Sequence, residues 1–256
     1  MIALVQILIK YALFLPYGVS TSLYELGFVM LVIATLCIAA AGNIINDIYD
    51  VETDHVNKPD KVIVGKTISE KRANNLFIIF NVIGVGLGFY ISSWVGKNGF
   101  FAVFVIISAL LYIYASYLKQ ILIVGNIVIS VLVASSILIV GLFDLIPTIT
   151  PQNQNTQFAI FKIVMDYAIF AFLINLVREI AKDIEDIDGD YKAGMNTLPI
   201  AIGRDRASKV LFALSLIPLF AVIYYMVSYL YKQPIAIIYF FTIHNSPFDI
   251  YCDKIV

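Results

Sequence analysis

Charge is scarce in this sequence. Lys and Arg number 17 and Asp and Glu 18, so 14% of residues are charged, against about a quarter in an ordinary soluble domain. The net charge of −1 leaves no basic field to draw nucleic acid. Cysteine is scarcer still. Cys37 falls in the middle of an apolar block and Cys252 in the last few residues, so neither is expected to be bridged. No basic segment precedes the apolar residues after Met1, and nothing there reads as a cleaved signal peptide. Hydrophobic residues, by contrast, make up 61% of the chain at a mean hydropathy of +0.89. They arrive in long blocks, which excludes a soluble fold and predicts an all-α, polytopic transmembrane helical bundle.

Blocks long enough to cross a bilayer run from Ile2 to Val19, Leu23 to Ile45, Leu76 to Val95, Phe100 to Leu118, Ile121 to Phe143, Phe158 to Val177 and Val210 to Leu230. An eighth, Ile235 to Ile243, is too short to span alone. The expectation is seven full spans and a partial eighth, with the last span or spans of the bundle missing. Two long polar segments, 46–75 and 178–209, are separated by four crossings and therefore belong on one side. Charge agrees, because twelve loop lysines and arginines fall on that side against Lys97, Lys162 and Lys232 on the other. The positive-inside bias places both segments in the cytoplasm, with the chain in the cell's inner (cytoplasmic) membrane.

Those segments share an unusual spacing. Asp47, Asp50 and Asp54 recur at i, i+3 and i+7, and so do Asp183, Asp186 and Asp190. On a continuous helix, Asn43, Asp47, Asp50 and Asp54 fall within about 60° of the circumference. Glu179 extends the second stripe. The matching spacing suggests a single domain, 1–256, built of two pseudo-repeats, 1–120 and 121–243. Carboxylates crowded on one face repel and demand a cation. Magnesium takes one or two carboxylates and completes its shell with water and phosphate. Two such faces across a cavity therefore suit a diphosphate, with Lys58, Lys119, Arg178 and Lys182 placed to meet its remaining oxygens. An apolar bundle next to a diphosphate site suits an isoprenyl chain, and aromatic faces such as Tyr112, Tyr114 and Tyr117 could steady an allylic cation. The rival reading from another class is a cation transporter with an acidic mouth. Lys10 is the principal charge deep in a span, which argues against such a path.

At these residues the chain resembles the UbiA superfamily of intramembrane prenyltransferases. Asn46, Asp47, Asp50 and Asp54 meet the family's NDxxDxxxD motif, followed by Asn57-Lys58-Pro59 and Gly65-Lys66-Thr67-Ile68-Ser69. Asp186 and Asp190 meet its DxxxD motif, with Asp183 one turn earlier and Gly194, Thr197, Leu198 and Gly203 downstream. The resemblance implies a bundle around a central cavity open to the cytoplasmic side. It implies Mg2+-dependent transfer of a polyprenyl group from a geranylgeranyl-like prenyl diphosphate to a lipid or aromatic acceptor among the membrane lipids. It assigns catalysis and metal binding to Asp47, Asp50, Asp54, Asp186 and Asp190, with Asp183 as a further metal ligand. Asn43, Asn46, Lys58, Tyr114, Lys119, Arg178 and Lys182 are expected at the substrate. Two departures stand out. The family's YxxxK element is here Tyr114 to Lys119, one residue longer, and the missing last helix leaves room for an inactive homologue. The runs around Lys119–Asn126 and Arg178–Asp186 look most like the branch that prenylates glycerol-phosphate lipids, with aromatic prenylation in quinone or haem synthesis as the alternative.

Overall fold

A computed structural model describes residues 1–230. Its described residues fall into two units, Met1–Leu211 and Phe212 onward. In the first unit, α1 (Ile2–Leu8) continues in wider turns through Phe14, and α2 (Glu25–Tyr49) is followed by the short α3 (Val51–Asn57). The long helices α4 (Glu70–Trp94), α5 (Phe101–Ser116), α6 (Val124–Asp144) and α7 (Gln154–Glu185) come next. Then come the short α8 (Ile187–Lys192) and α9 (Leu198–Ile202), and the start of α10 (Arg204–Tyr225). The second unit, as described, is the remainder of α10 and a wider turn, Met226–Leu230.

Among the described residues, six helices are long and apolar enough to cross a membrane: Glu25–Tyr49, Glu70–Trp94, Asn98–Ser116, Val124–Thr148, Gln154–Glu185 and Arg204–Ser228. The chain is an integral membrane protein whose described secondary-structure elements are all helical. The expected first span differs. Its helix stops at Phe14, about 20 Å long at 1.5 Å per residue, short of the ~30 Å hydrocarbon core. Pro16 and Gly18, the latter at φ +60°, turn the chain there. The expected partial span at 235–243 lies outside the described residues.

In the first unit, α2 packs along α4 and α6 along α7, with α5 against α2 and α4, and α1 against α2 and α6. Small residues set these distances. A Cβ on Gly84 of α4 would stand 2.6 Å from Ile38 of α2, and one on Gly88 would meet the Phe104 ring at 2.4 Å. Apolar surface does not drive helices together in lipid, so close backbone approach does that work. The outward faces stay greasy, with Val82, Phe89, Tyr90 and Ile106 more than half exposed.

One end of the bundle is closed by a buried ion pair. Lys10 Nζ lies 2.7 Å from Asp144 Oδ2 and donates to the Leu23 carbonyl at 2.7 Å, while the Leu23 N–H donates to Asp144 Oδ1 at 2.8 Å. The charge deep in the first block is thus neutralised where it sits. The other end carries both acidic segments, because α3 packs against α8.

Candidate active site

Each long acidic helix breaks at its middle aspartate. α2 ends at Asp50 (φ −93°, ψ 1°) and α3 starts immediately; α7 ends at Asp186 (φ −92°, ψ 9°) and α8 starts immediately. The i→i+4 bonds survive on both sides, with Asp54 N–H to Asp50 C=O at 2.8 Å and Asp190 N–H to Asp186 C=O at 3.1 Å. The single continuous stripe expected from spacing is therefore bent in the middle. The first two members of the first stripe pay for this: Asp47 stays on α2 as an exposed rim residue, while Asn43 falls one turn short of the acids. Asp50 and Asp54 turn inward.

The two bends face one cleft. Asp50 and Asp54 lie on one wall and Glu179, Asp183, Asp186 and Asp190 on the other, with Lys119 and Lys182 among them. Six carboxylates against two ammonium groups leave a formal lining charge of −4 (2 − 6). Lys58 comes in from the first segment to grip the second, 2.7 Å from Asp186 Oδ1 and 3.4 Å from Glu185. Burial alone would weaken its hold on a proton, but the hydrogen bond and charge of Asp186 raise its pKa on balance. Lys119 pairs with Asp50, and Asn46 donates to the same carboxylate. On the second wall Asn126 Nδ2 donates to Asp183 Oδ2 at 2.8 Å. Burial pushes the Asp190 carboxyl up to about 7, with Asp183, Asp186 and Asp50 adding repulsion and Lys182 opposing it. Asp54 is raised for the same first reason, then by Asp50 and Asp186, against the pull of Lys182 and Lys58. Both groups hold their charge poorly without an added cation.

Lys119 reaches this cleft because α5 stops. Five residues along a continuing helix would set it about 140° round from Tyr114. Instead α5 ends at Ser116, Tyr117 leaves helical geometry, and a tight turn over 118–120 folds Lys119 back beside Asp50. Gly125 permits the fold, since a Cβ there would lie 2.7 Å from Lys119 Cα. Tyr114 lines the cleft as expected. Tyr112 instead bonds Tyr49 on an outer face, and Tyr117 is 61% exposed. Arg178 points away, its side chain 70% exposed and paired with its neighbour Glu179 at 2.7 Å.

Directly beneath lies an apolar cavity of about 170 Å3. Three helices carry both sites one turn apart: Asn46 and Asn43 on α2, Tyr114 and Leu111 on α5, Asn126 and Ile129 on α6, the first of each pair lining the cleft and the second the cavity. Asn43 thus belongs to the mouth of the apolar chamber rather than to the acids.

Among the cleft residues given no role at the site beforehand are four with polar side chains, Thr53, Asn57, Asn126 and Thr197. Asn126 carried a signal, an amide inside an otherwise apolar block. Thr197 comes round because Gly194, at φ +71°, reverses the chain after α8, and the Asn196 N–H ties the loop to the Gln120 carbonyl at 3.0 Å. Its buried Oγ1 has no hydrogen-bond partner among the described residues, and Thr197 lines the cleft.

Among the described residues no three acidic side chains converge on one point. The donors are hard oxygens on two walls, with a spare buried hydroxyl between them. That set fits magnesium, which shares its shell between a carboxylate or two and the oxygens of a ligand.

Known proteins share this architecture. The profile of the UbiA prenyltransferase family matches residues 4–248. A curated relative, digeranylgeranylglyceryl phosphate synthase of Methanosphaera stadtmanae, is 35% identical over 190 residues, covering 73% of this chain. The chain spans 63% of that relative's length. A solved structure concerning digeranylgeranylglyceryl phosphate synthase in membranes superposes with a TM-score of 0.57 at 26% identity, over 90% of this chain and 73% of its own. A UbiA homologue from Archaeoglobus fulgidus, solved bound to DMAPP and Mg2+, has the same fold, with a TM-score of 0.55 at 19% identity over 87% of this chain and 74% of its own. With the whole of its described transmembrane core inside the matched region and both acidic motifs on one cleft, this chain belongs to the UbiA prenyltransferase family.

Proposed function

We propose that this protein transfers a polyprenyl group from a prenyl diphosphate to a membrane acceptor, a prenylglycerol phosphate, with magnesium bound in the cleft. The observation that carries this reading is the stacking of an acidic cleft on an apolar cavity along three helices, one turn apart. A molecule with a polyanionic head and a hydrocarbon tail fits that pair of chambers in one orientation only. Asp50 and Asp54 on one side, and Asp183, Asp186 and Asp190 on the other, would hold magnesium, whose charge when bound supports the departing diphosphate. Asp47 stands at the rim as a further carboxylate for an incoming ion.

The chain's own residues do the rest. Lys119 and Lys58, paired with Asp50 and Asp186 in the structure, are placed to turn to phosphate oxygens. Lys182 lies on the same wall, and Asn46 steadies Asp50. The carbon–oxygen bond to diphosphate breaks as the acceptor hydroxyl oxygen bonds the prenyl carbon; the diphosphate leaves with the electron pair of the broken bond, and the hydroxyl proton passes to it. Tyr114, at the level where cleft meets cavity, presents its ring to the developing allylic cation. The relative from Methanosphaera stadtmanae and the homologue solved with DMAPP and Mg2+ support a glycerol-phosphate lipid product and a magnesium-borne prenyl diphosphate. The excess of lysine and arginine in the segments around the cleft supports a cytoplasmic opening in the cell membrane. The like bends at Asp50 and Asp186 support two pseudo-repeats.

Purified protein in nanodiscs, given Mg2+, labelled geranylgeranyl diphosphate and either geranylgeranylglyceryl phosphate or an aromatic hydroxy acid, tests this. The expected result is prenyl transfer to the glycerol phosphate, abolished by chelation and restored by Mg2+. Transfer to the aromatic acid alone would reassign the acceptor, and no transfer to either would sink the reading.

A further inference from the structure

Helix α8 begins at Asp186, and an aspartate at the N-cap ordinarily spends its carboxylate on the free N–H groups of the first turn. Here it does not, for α8 has no side-chain cap bond from Asp186. The third N–H of the helix, that of Gly189, goes to Asn57 Oδ1 at 2.8 Å, and Asn57 Nδ2 donates to the Asp186 carbonyl at 3.0 Å. One partner must be accepted and the other donated to, so the amide has a single orientation. Asn57 is the last residue of α3. It crosses from the first acidic segment to the second and performs the capping that Asp186 forgoes. Gly189 makes room, since a Cβ there would stand 2.3 Å from Asn57 Nδ2. The clamp has no mirror image. In the register that aligns Asp47 with Asp183, the position of Asn57 is taken by Ala193.

We propose that Asn57 is a positioning residue: by capping α8 in trans it releases the Asp186 carboxylate into the cleft and fixes the spacing of the two acidic walls. Without it, Asp186 turns to its own helix and is lost to the cation. The idea rests on the reading of the cleft as a magnesium–diphosphate site, and its test is separable from that reading. The probe is Mn2+ alone, titrated into the full chain in nanodiscs and followed by electron paramagnetic resonance, with prenyl transfer measured beside it. Asp186→Asn calibrates the site and should weaken Mn2+ binding. Asn57→Ala should weaken it about tenfold, the usual effect of removing a group that orients a metal ligand. Gly189→Ala, which expels the Asn57 side chain without a backbone penalty inside a helix, should do the same. The double variant Asn57→Ala/Gly189→Ala should be no worse than either single change, because the clash disappears with the amide. Asp186→Asn should add little in the Asn57→Ala background. If Asn57→Ala and Gly189→Ala both leave Mn2+ affinity intact while Asp186→Asn lowers it, the positioning role is overturned and the site stands. If Asp186→Asn itself changes nothing, the site reading fails first. Additive losses in the double variant would mean that the two residues act separately, which also overturns the clamp.

Discussion

Helix α6 connects two regions where acid meets base, and they are balanced differently. At its C-terminal end Asp144 has no exposed side-chain surface and is matched one for one. Lys10 takes one oxygen, the Leu23 N–H takes the other, and the Phe28 ring lies 5.4 Å from the ammonium. At its N-terminal end, about 30 Å away for 21 residues, the cleft holds six carboxylates and two lysines, with Lys58 reaching in as a third. A buried charge with its partner fixed beside it is a structural element. A cluster whose partners fall short in number suits the cation-binding role proposed above. The same chemistry serves stability at one end and, on the proposed reading, binding at the other, and stoichiometry tells them apart.

The largest effect should follow from emptying the cleft of one charge. Asp54→Asn and Asp190→Asn are expected to lower prenyl transfer by 100-fold or more, of the order seen when a group that stabilises transition-state charge is removed. Thermal midpoints in detergent should hold or rise, because each change relieves repulsion among neighbours. A loss of activity accompanied by an equal loss of folded protein would erase the distinction between the two ends.

The converse experiment is at Asp144. Asp144→Asn keeps an acceptor for the Leu23 N–H but strands Lys10 in an apolar setting, at a cost of about 3–5 kcal/mol. Lys10→Met strands the acid instead. The double variant should recover much of that stability, and prenyl transfer per folded molecule should stay near wild type in all three. Additive destabilisation in a double-mutant cycle would show that the pair is not a unit.

The spans were legible because lipid imposes a simple rule, twenty apolar residues or thereabouts, and six of the seven expected blocks became helices of membrane length among the described residues, while Pro16 and Gly18 cut the first one short. The side shared by the two acidic segments was legible from parity. The shape of the site was not. Periodicity assumes an unbroken helix, and both stripes bend at their middle aspartate, which put Asp47 on the rim and Asn43 in the apolar chamber. Arg178 looked like a phosphate ligand by proximity in sequence, yet it lies on the outer side of α7, where its neighbour Glu179 faces inward. Asn57 and Thr197 stood out only as motif neighbours and were given no role at the site, because their roles depend on contacts between segments more than 70 residues apart, or on a chain reversal at Gly194, and neither leaves a periodic mark. The extra residue between Tyr114 and Lys119 looked like a departure from the family, but it is absorbed where α5 ends.

That last point carries the smallest prediction and the finest test of the comparison. Lys119 contributes to the cleft only because the 118–120 turn lies against the start of α6, and Gly125 is what allows it. In Gly125→Ala the new methyl would sit 2.7 Å from Lys119 Cα and 3.0 Å from the Leu118 carbonyl, both backbone atoms that cannot rotate aside. The turn must shift, and the Lys119–Asp50 pair must loosen with it. No charge is lost, so the effect should be a several-fold rise in KM for the prenyl diphosphate with kcat little changed, smaller than that of Lys119→Ala, which removes the ammonium outright. Overpacking of this kind costs about 1–3 kcal/mol of stability, so the variant should be assayed below its lowered midpoint. A Lys119→Ala background should mask the KM effect of Gly125→Ala entirely. If the methyl still raises KM there, Gly125 acts on the substrate by some route other than Lys119, and the cleft end would depend on backbone shape as much as on its count of charges.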